Sequence, residues 1–388
     1  MSEWKKVKLG ELYEVHNGLS KGRQFFGTGF PFLTFSNVFN NWFLPEQLES
    51  LVQTTDKERE ACSIKAGDVF ITRTSETMDE LGMSSVALKD YPNATYNGFT
   101  KRLRPKTDRV FPRYMGYYLR TPKFRGQFMA FSSMTTRASL ANNDLLNMEV
   151  ELPPMDIQKN IATILSRYDS LIENYQKQIK LLEEAARRLY KEWFIDLRFP
   201  GHENTKIVDG VPEGWEVKSI IDVYNFKYGK ILPTKDFVKD GAIPVYGASK
   251  QIGRYSKANC FEPKVLIGSR GNAGFVHRTI EDETYVTNNS FIVEPKKEFK
   301  YLRLPYIYES LKVMDFVAIC TGAAQPQLTL NSIASLKYII PSDRIITDYC
   351  DVSVLFFKKI AMSYKQLRLL TEARDRLLPK LMSGEITV

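Results

Sequence analysis

The sequence predicts an α+β protein built from two globular segments of mixed α/β content, each followed by a long amphipathic helix. Three observations carry that expectation. The chain is written twice, a helical stripe closes each copy, and short apolar strands recur in the globular parts.

A length of 388 residues exceeds one ordinary core and suits two domains or more. Shifting the sequence by 188 residues sets Leu140 on Leu328, Asn143 on Asn331 and Pro153 on Pro341 without a gap. The same shift sets Lys177-Gln178-Ile179-Lys180-Leu181-Leu182 on Lys365-Gln366-Leu367-Arg368-Leu369-Leu370. The starts of the halves match at a different offset, Trp4-Lys5-Lys6-Val7-Lys8 resembling Trp215-Glu216-Val217-Lys218. Such a period is too long for a solenoid. It reads as a duplicated unit, a variable globular segment and then a helix.

The helical stripe is the clearest local signal. Leu165, Tyr168, Ile172, Tyr175, Ile179, Leu182, Ala186, Leu189 and Trp193 step alternately by three and four, the spacing of a helix that packs on another helix. The second helix repeats this with Phe356, Ile360, Leu367, Leu370, Leu377 and Leu381, and places Ser363 and Arg374 in the seam. Phe199-Pro200-Gly201 stops the first helix. In the globular segments the stretches 67–72 and 264–268 are short, apolar and end in polar loops, as strands do, and 288–293 is another strand candidate.

Composition excludes several classes. No run of about 20 apolar residues suits a membrane span, and Met1-Ser2-Glu3-Trp4-Lys5-Lys6 opens no apolar leader. Cys62, Cys260, Cys320 and Cys350 lie far apart, as reduced thiols of a cytoplasmic protein do. Three histidines, His16, His202 and His277, make a His-rich metal site improbable. No phosphate-binding GxxxxGK[ST] occurs. Leu152-Pro153-Pro154-Met155 lacks the flanking residues of an amino-methyltransferase motif and reads as the stop before a helix. Glu216-Val217-Lys218 fits an E-x-K nuclease fragment, but it follows a turn and has no obvious acidic partner strand.

The net charge of +9 fits an anionic partner. Nine basic residues from Lys101 to Arg125 face only Asp108, and ten from Lys227 to Arg278 face Asp236, Asp240 and Glu262. One basic zone per half is harder to dismiss as a solvated face than a single run, and double-stranded DNA is an anionic partner that fits. Arg102, Arg104 and Arg113 are the candidates for phosphates. Loops after the apolar strands hold the other DNA-binding candidates: Arg73, Thr74 and Ser75, then Arg137, in the first half, and Ser269, Arg270 and Asn272, then Gln325 and Gln327, in the second. Arginine clasps guanine edges and Asn or Gln adenine edges, each through two hydrogen bonds; Ser and Thr suit phosphates.

Further residues carry a family likeness. They are Trp-x-x-x-x-Leu-Gly-Glu at residues 4–11, and Leu152-Pro153-Pro154 with Gln158 and Ile161 after it. The strongest is Lys191-Glu192-Trp193-Phe194-Ile195-Asp196-Leu197-Arg198-Phe199-Pro200-Gly201 with Val211-Pro212-Glu213-Gly214-Trp215 after it. Along its whole length the chain resembles the specificity subunits (S, HsdS) of type I restriction–modification enzymes. The second half departs from the pattern, since Pro341-Ser342-Asp343-Arg344 lacks the second proline and the glutamine.

The resemblance implies two target recognition domains, at 1–155 and 201–341, each reading one part of a split DNA site across an unread spacer. It implies two helices, 156–200 and 342–388, paired antiparallel as a coiled-coil spacer, which gives the repeat a pseudo-twofold axis. It implies two methyltransferase (M) subunits as partners and, for cleavage, two ATP-dependent restriction (R) subunits. S-adenosylmethionine, ATP and Mg would then be bound by those partners and no cofactor by this chain, which would be non-catalytic. Two alternatives stay open: the specificity partner of a type IIB-like enzyme with a fused methyltransferase–nuclease, and a coiled-coil scaffold that binds no DNA.

Overall fold

A computed structural model describes residues 4–75, 81–131, 138–322 and 325–388. The chain forms two compact units, one of residues 1–171 and 370–388, the other of residues 172–369.

In the first unit a four-stranded antiparallel sheet has the order Tyr13–Asn17, Thr100–Pro105, Val69–Thr72, Ser84–Val86. A three-stranded sheet joins Leu51–Val52, Phe26–Leu33 and Thr95–Tyr96, the last pair parallel. Lys5–Lys8 pairs with Glu149–Leu152. The second unit repeats this strand for strand. Its four-stranded sheet runs Tyr224–Tyr228, Ser290–Pro295, Val265–Gly268, Val276–Arg278. Its three-stranded sheet joins Gln251–Tyr255, Ile243–Tyr246 and Tyr285–Val286, again with one parallel pair. Glu216–Ser219 pairs with Lys337–Ile340. The E-x-K stretch therefore lies on a ladder strand, and Lys218 pairs with Glu216 at 2.6 Å.

The apolar sequence stretches lie in these sheets because each strand is covered. Val69, Phe70 and Ile71 are fully buried, and so are Leu266 and Ile267. Phe70 points with Tyr96 into a core distinct from that holding Val69 and Ile71, as the alternation of a strand requires.

The central helix, Met155–Tyr190, starts directly after Pro153-Pro154. Gln158, 1% exposed, ties that start down. Its amide donates to the Arg109 and Pro153 carbonyls, each at 2.9 Å, and its carbonyl accepts the Phe111 N–H at 2.8 Å. In the second copy the equivalent residue, Ile346, is buried in the apolar core. The missing glutamine is thus replaced by packing. One wider turn, Lys191–Ile195, follows the central helix, and Leu197 at φ 56° ends it. The distal helix is Asp343–Met382.

Every position of the central stripe from Leu165 to Trp193 is buried or half-buried. In the first unit Arg374, near the end of the distal helix, binds Asp169 in the first half of the central helix at 2.8 Å. In the second unit Tyr190 and Trp193 meet Tyr349, ring centroids 6.2 and 5.9 Å apart.

Candidate nucleic-acid interface

In the second unit the strand Val265–Gly268 ends where only glycine fits. A Cβ on Gly268 would lie 2.2 Å from the Asn272 carbonyl oxygen and 2.6 Å from that of Ala248. The chain reverses through Gly271 at φ 78°. Ser269 donates its N–H to Asn289 at 2.8 Å, and its carbonyl accepts from Leu328 at 3.0 Å. Arg270 then bridges Gln327, which exchanges two backbone bonds with Thr321 at 2.9 and 2.8 Å. The Asn272 amide donates to the Ser249 hydroxyl at 2.6 Å.

Two loops far apart in sequence are thus laced into one edge. Arg270, Asn272 and Gln325 are exposed there and Gln327 is half-buried. Ser269 does not belong to the presented set. It is 1% exposed and its hydroxyl donates inward to the Asn288 carbonyl, because both backbone sides of Ser269 are used to join the loops.

The first unit has the same lacing. Arg73 donates its N–H to the Phe99 carbonyl at 3.0 Å and accepts from Leu140 at 3.1 Å. Thr74–Ser75 pairs with Ala138–Ser139, as Arg270 does with Gln327. Arg73 is half-buried, and its Nε has no hydrogen-bond partner among the described residues. Arg137 lies outside the described residues.

Two of the three proposed phosphate ligands, Arg102 and Arg104, are engaged inside the first unit. Arg102 is 3% exposed, donates to the Ser63 carbonyl at 2.6 Å and lies over the Tyr96 ring. Arg104 grips Asp68 with two bonds of 2.8 and 2.6 Å. The two arginines stand two apart on the strand Thr100–Pro105, so alternation points both to the face covered by residues 61–68. The Asp68 carboxylate holds the Arg104 guanidinium above its ordinary pKa, against desolvation. Arg113 is half-buried beside the Phe43 ring, 5.5 Å from its centroid. Arg120, another member of the basic run, donates to the carbonyls of Ser84, Val38, Phe39 and Asn41. Burial lowers its pKa to about 10. Much of this run therefore braces the first unit.

Sequence reasoning missed the two turns that supply the partners of the lacing, residues 97–100 and 287–290. Their signal was the polar turn between two strands, Asn97-Gly98-Phe99 and Thr287-Asn288-Asn289.

Residues 1–184 and 212–352 match the model of the type I restriction modification DNA specificity domain. The chain belongs to that family. One relative is the type I restriction enzyme MjaIX specificity subunit of Methanocaldococcus jannaschii, 26% identical over an alignment spanning 100% of this chain and 94% of the relative. Another is the HindI specificity subunit of Haemophilus influenzae, 23% identical over the full length of both. Among solved structures, the type I restriction–modification S subunit from M. genitalium shares the fold, with a TM-score of 0.62 at 17% identity over 98% of this chain and 96% of that one. Two specificity domains in one chain agree with the duplicated strand order.

Proposed function

We propose that this chain is the DNA-addressing subunit of a type I restriction–modification complex, each unit reading one half of a two-part duplex site. The observation that carries the reading is the repeated lacing. In each unit the loop after an apolar strand is tied to a second loop, at Arg73–Leu140 and at Ser269–Leu328. Side chains able to read base edges stand on such an edge in the second unit. Relatives that carry type I specificity names and span the whole chain support this arrangement over a type IIB-like one or a DNA-free scaffold.

In this reading the central and distal helices pair antiparallel as a coiled-coil spacer that leaves a fixed run of bases unread. Two methyltransferase subunits dock on the helices, extending them toward a four-helix bundle, and two restriction subunits join for cleavage. S-adenosylmethionine, ATP and Mg belong to those partners, and the assembly is cytoplasmic. This chain supplies address and scaffold and transfers no group itself.

The test is an exchange of residues 215–340 for the same segment of a relative, in cells carrying the partner subunits. Mapped methylated motifs should change in one half only. A change in both halves, or in neither while methylation persists, refutes the modular reading.

A further inference from the structure

The turn at residues 97–100 holds its backbone on every side. Thr100 donates to the Asn97 carbonyl at 3.0 Å, and Gly98 to that of Leu19 at 2.9 Å. Phe99 donates its N–H to Asn97 Oδ1 at 2.7 Å and accepts the Arg73 N–H at 3.0 Å. On this fixed backbone the Phe99 side chain stands 55% exposed.

The second unit builds the same turn at residues 287–290. Ser290 donates to the Thr287 carbonyl at 3.2 Å, and Asn288 to that of Lys230 at 3.2 Å. Asn289 accepts from Ser269 at 2.8 Å and from Arg270 at 3.4 Å. Through the carbonyl that accepts the N–H of the strand-end loop, Asn289 occupies the place of Phe99, and it too is exposed. Each unit therefore presents one outward side chain a single hydrogen bond from the loop that carries Arg73 or Arg270.

We propose that Phe99 and Asn289 are further specificity-determining residues, Phe99 packing on the C5 methyl of a thymine in the half-site of the first unit and Asn289 reading an adenine edge in the other. The inference rests on the DNA-addressing function proposed above. A phenyl ring offers no hydrogen-bonding group, so it cannot form the paired bonds that distinguish the other major-groove edges. The thymine methyl is the apolar group displayed there. An asparagine at the same place has the opposite chemistry, with a donor and an acceptor that match adenine N7 and N6. Equivalent backbones with different side chains allow the two halves of the repeat to recognise different bases.

The experiment uses the full chain assembled with its methyltransferase partner and a duplex carrying the mapped site. Each thymine of the first half-site is replaced in turn by deoxyuridine, which removes only the methyl group. One such replacement should weaken binding by about fourfold, the worth of one buried methyl. The Phe99→Ala complex should bind the thymine and deoxyuridine duplexes equally, and Phe99→Leu should restore part of the difference. Asn289→Ala should cut discrimination at one A·T pair of the second half-site by about tenfold. A first half-site without A·T pairs overturns the inference. So does a Phe99→Ala complex that keeps the parent's sensitivity to the methyl. A parent complex that binds no duplex specifically sinks the DNA-addressing function itself, and this inference with it.

Discussion

Asp169 receives the Arg374 guanidinium at 2.8 Å on one carboxylate oxygen, while its other oxygen accepts the Tyr117 hydroxyl at 2.5 Å. Arg374 also reaches Asp375 and lies over the Trp42 ring. This cluster explains why an arginine occupies an apolar seam. It gives the helices of the first unit a polar lock to the helix Pro112–Tyr118. Both members of the pair are less than a third exposed, so solvent screens it only in part. Asp169→Ala should cost about 1.5–3 kcal/mol, the worth of hydrogen bonds to charged groups. Hydrogen exchange should show the lost protection in residues 112–118, 155–171 and 370–382. An unchanged exchange pattern there refutes the lock.

Arg104→Met should destabilise the protein without touching DNA affinity. Asp68 is 0% exposed, and among the described residues the substitution would leave its carboxylate oxygens the Lys65 N–H, at 2.7 Å, as partner. Breaking a buried ion pair from one side costs about 3–5 kcal/mol. Because Arg104 is partly exposed, the lower end is expected. The urea midpoint should fall, while the slope of DNA affinity against salt stays at the parental value in the folded variant. A slope flattened by about one contact's worth would return Arg104 to the phosphate set.

That reversal marks what was legible in the sequence. The helical stripe was legible because its period alone fixes which side chains share a face. The strands Val69–Thr72 and Val265–Gly268 were legible because continuous apolar runs need cover on both faces. Counting charge along residues 101–125 failed because a strand sends alternate side chains to opposite faces, and no local rule says which face is covered. The meeting of Arg270 with Gln327 was not legible either. It depends on a backbone bridge between loops separated by three strands and a helix. The full repeat was hidden by loops of unequal length, so Arg73 answers to Ser269 and Phe99 to Asn289 at different shifts from the one that aligns the helices.

Two buried groups of the second unit should give opposing responses to pH. Burial raises the Glu309 carboxyl from 4.5 to about 7, against the pull of Lys312, Arg278 and Arg187 and with the push of Glu183. It is 2% exposed, and one of its oxygens has no hydrogen-bond partner among the described residues. Burial lowers His277 from 6.5 to about 4, although a backbone bond with Gly247 opposes this. Glu309 is protonated more readily folded than unfolded, so its contribution is full below pH 4.5 and is lost as pH rises to about 7. His277 is protonated less readily folded, so its contribution is full above pH 6.5 and is lost as pH falls to about 4. Each shift is worth on the order of 3 kcal/mol. The two should nearly cancel in the parent between those limits. Glu309→Gln should then lose stability as the medium is acidified, and His277→Asn should gain it. Urea midpoints of both variants that track the parent across this range refute the assignment.

The helices as a ruler yield the last prediction. The stripe from Leu165 to Trp193 covers 29 positions, roughly 42 Å at about 1.5 Å per residue. One heptad inserted after Ile179 keeps the packing register and adds about 10 Å. The distal helix needs a matching heptad. In the antiparallel pairing proposed above, the Tyr190–Tyr349 contact in the second unit sets Ile179 level with Ile360, so the second insertion belongs after Ile360. Both residues are buried in the seam, at 5% and 1% exposure, so an unmatched insertion would strand apolar side chains in water. At about 3.4 Å per base pair, 10 Å corresponds to about three more unread base pairs. Those three pairs also turn the second half-site by about a third of a helical turn. The complex of the doubly inserted chain with its methyltransferase partners should therefore methylate more slowly, and its mapped motif should keep both half-sites while the gap between them grows. An active, folded variant whose gap is unchanged would show that the distance is set by the globular units and not by the helices.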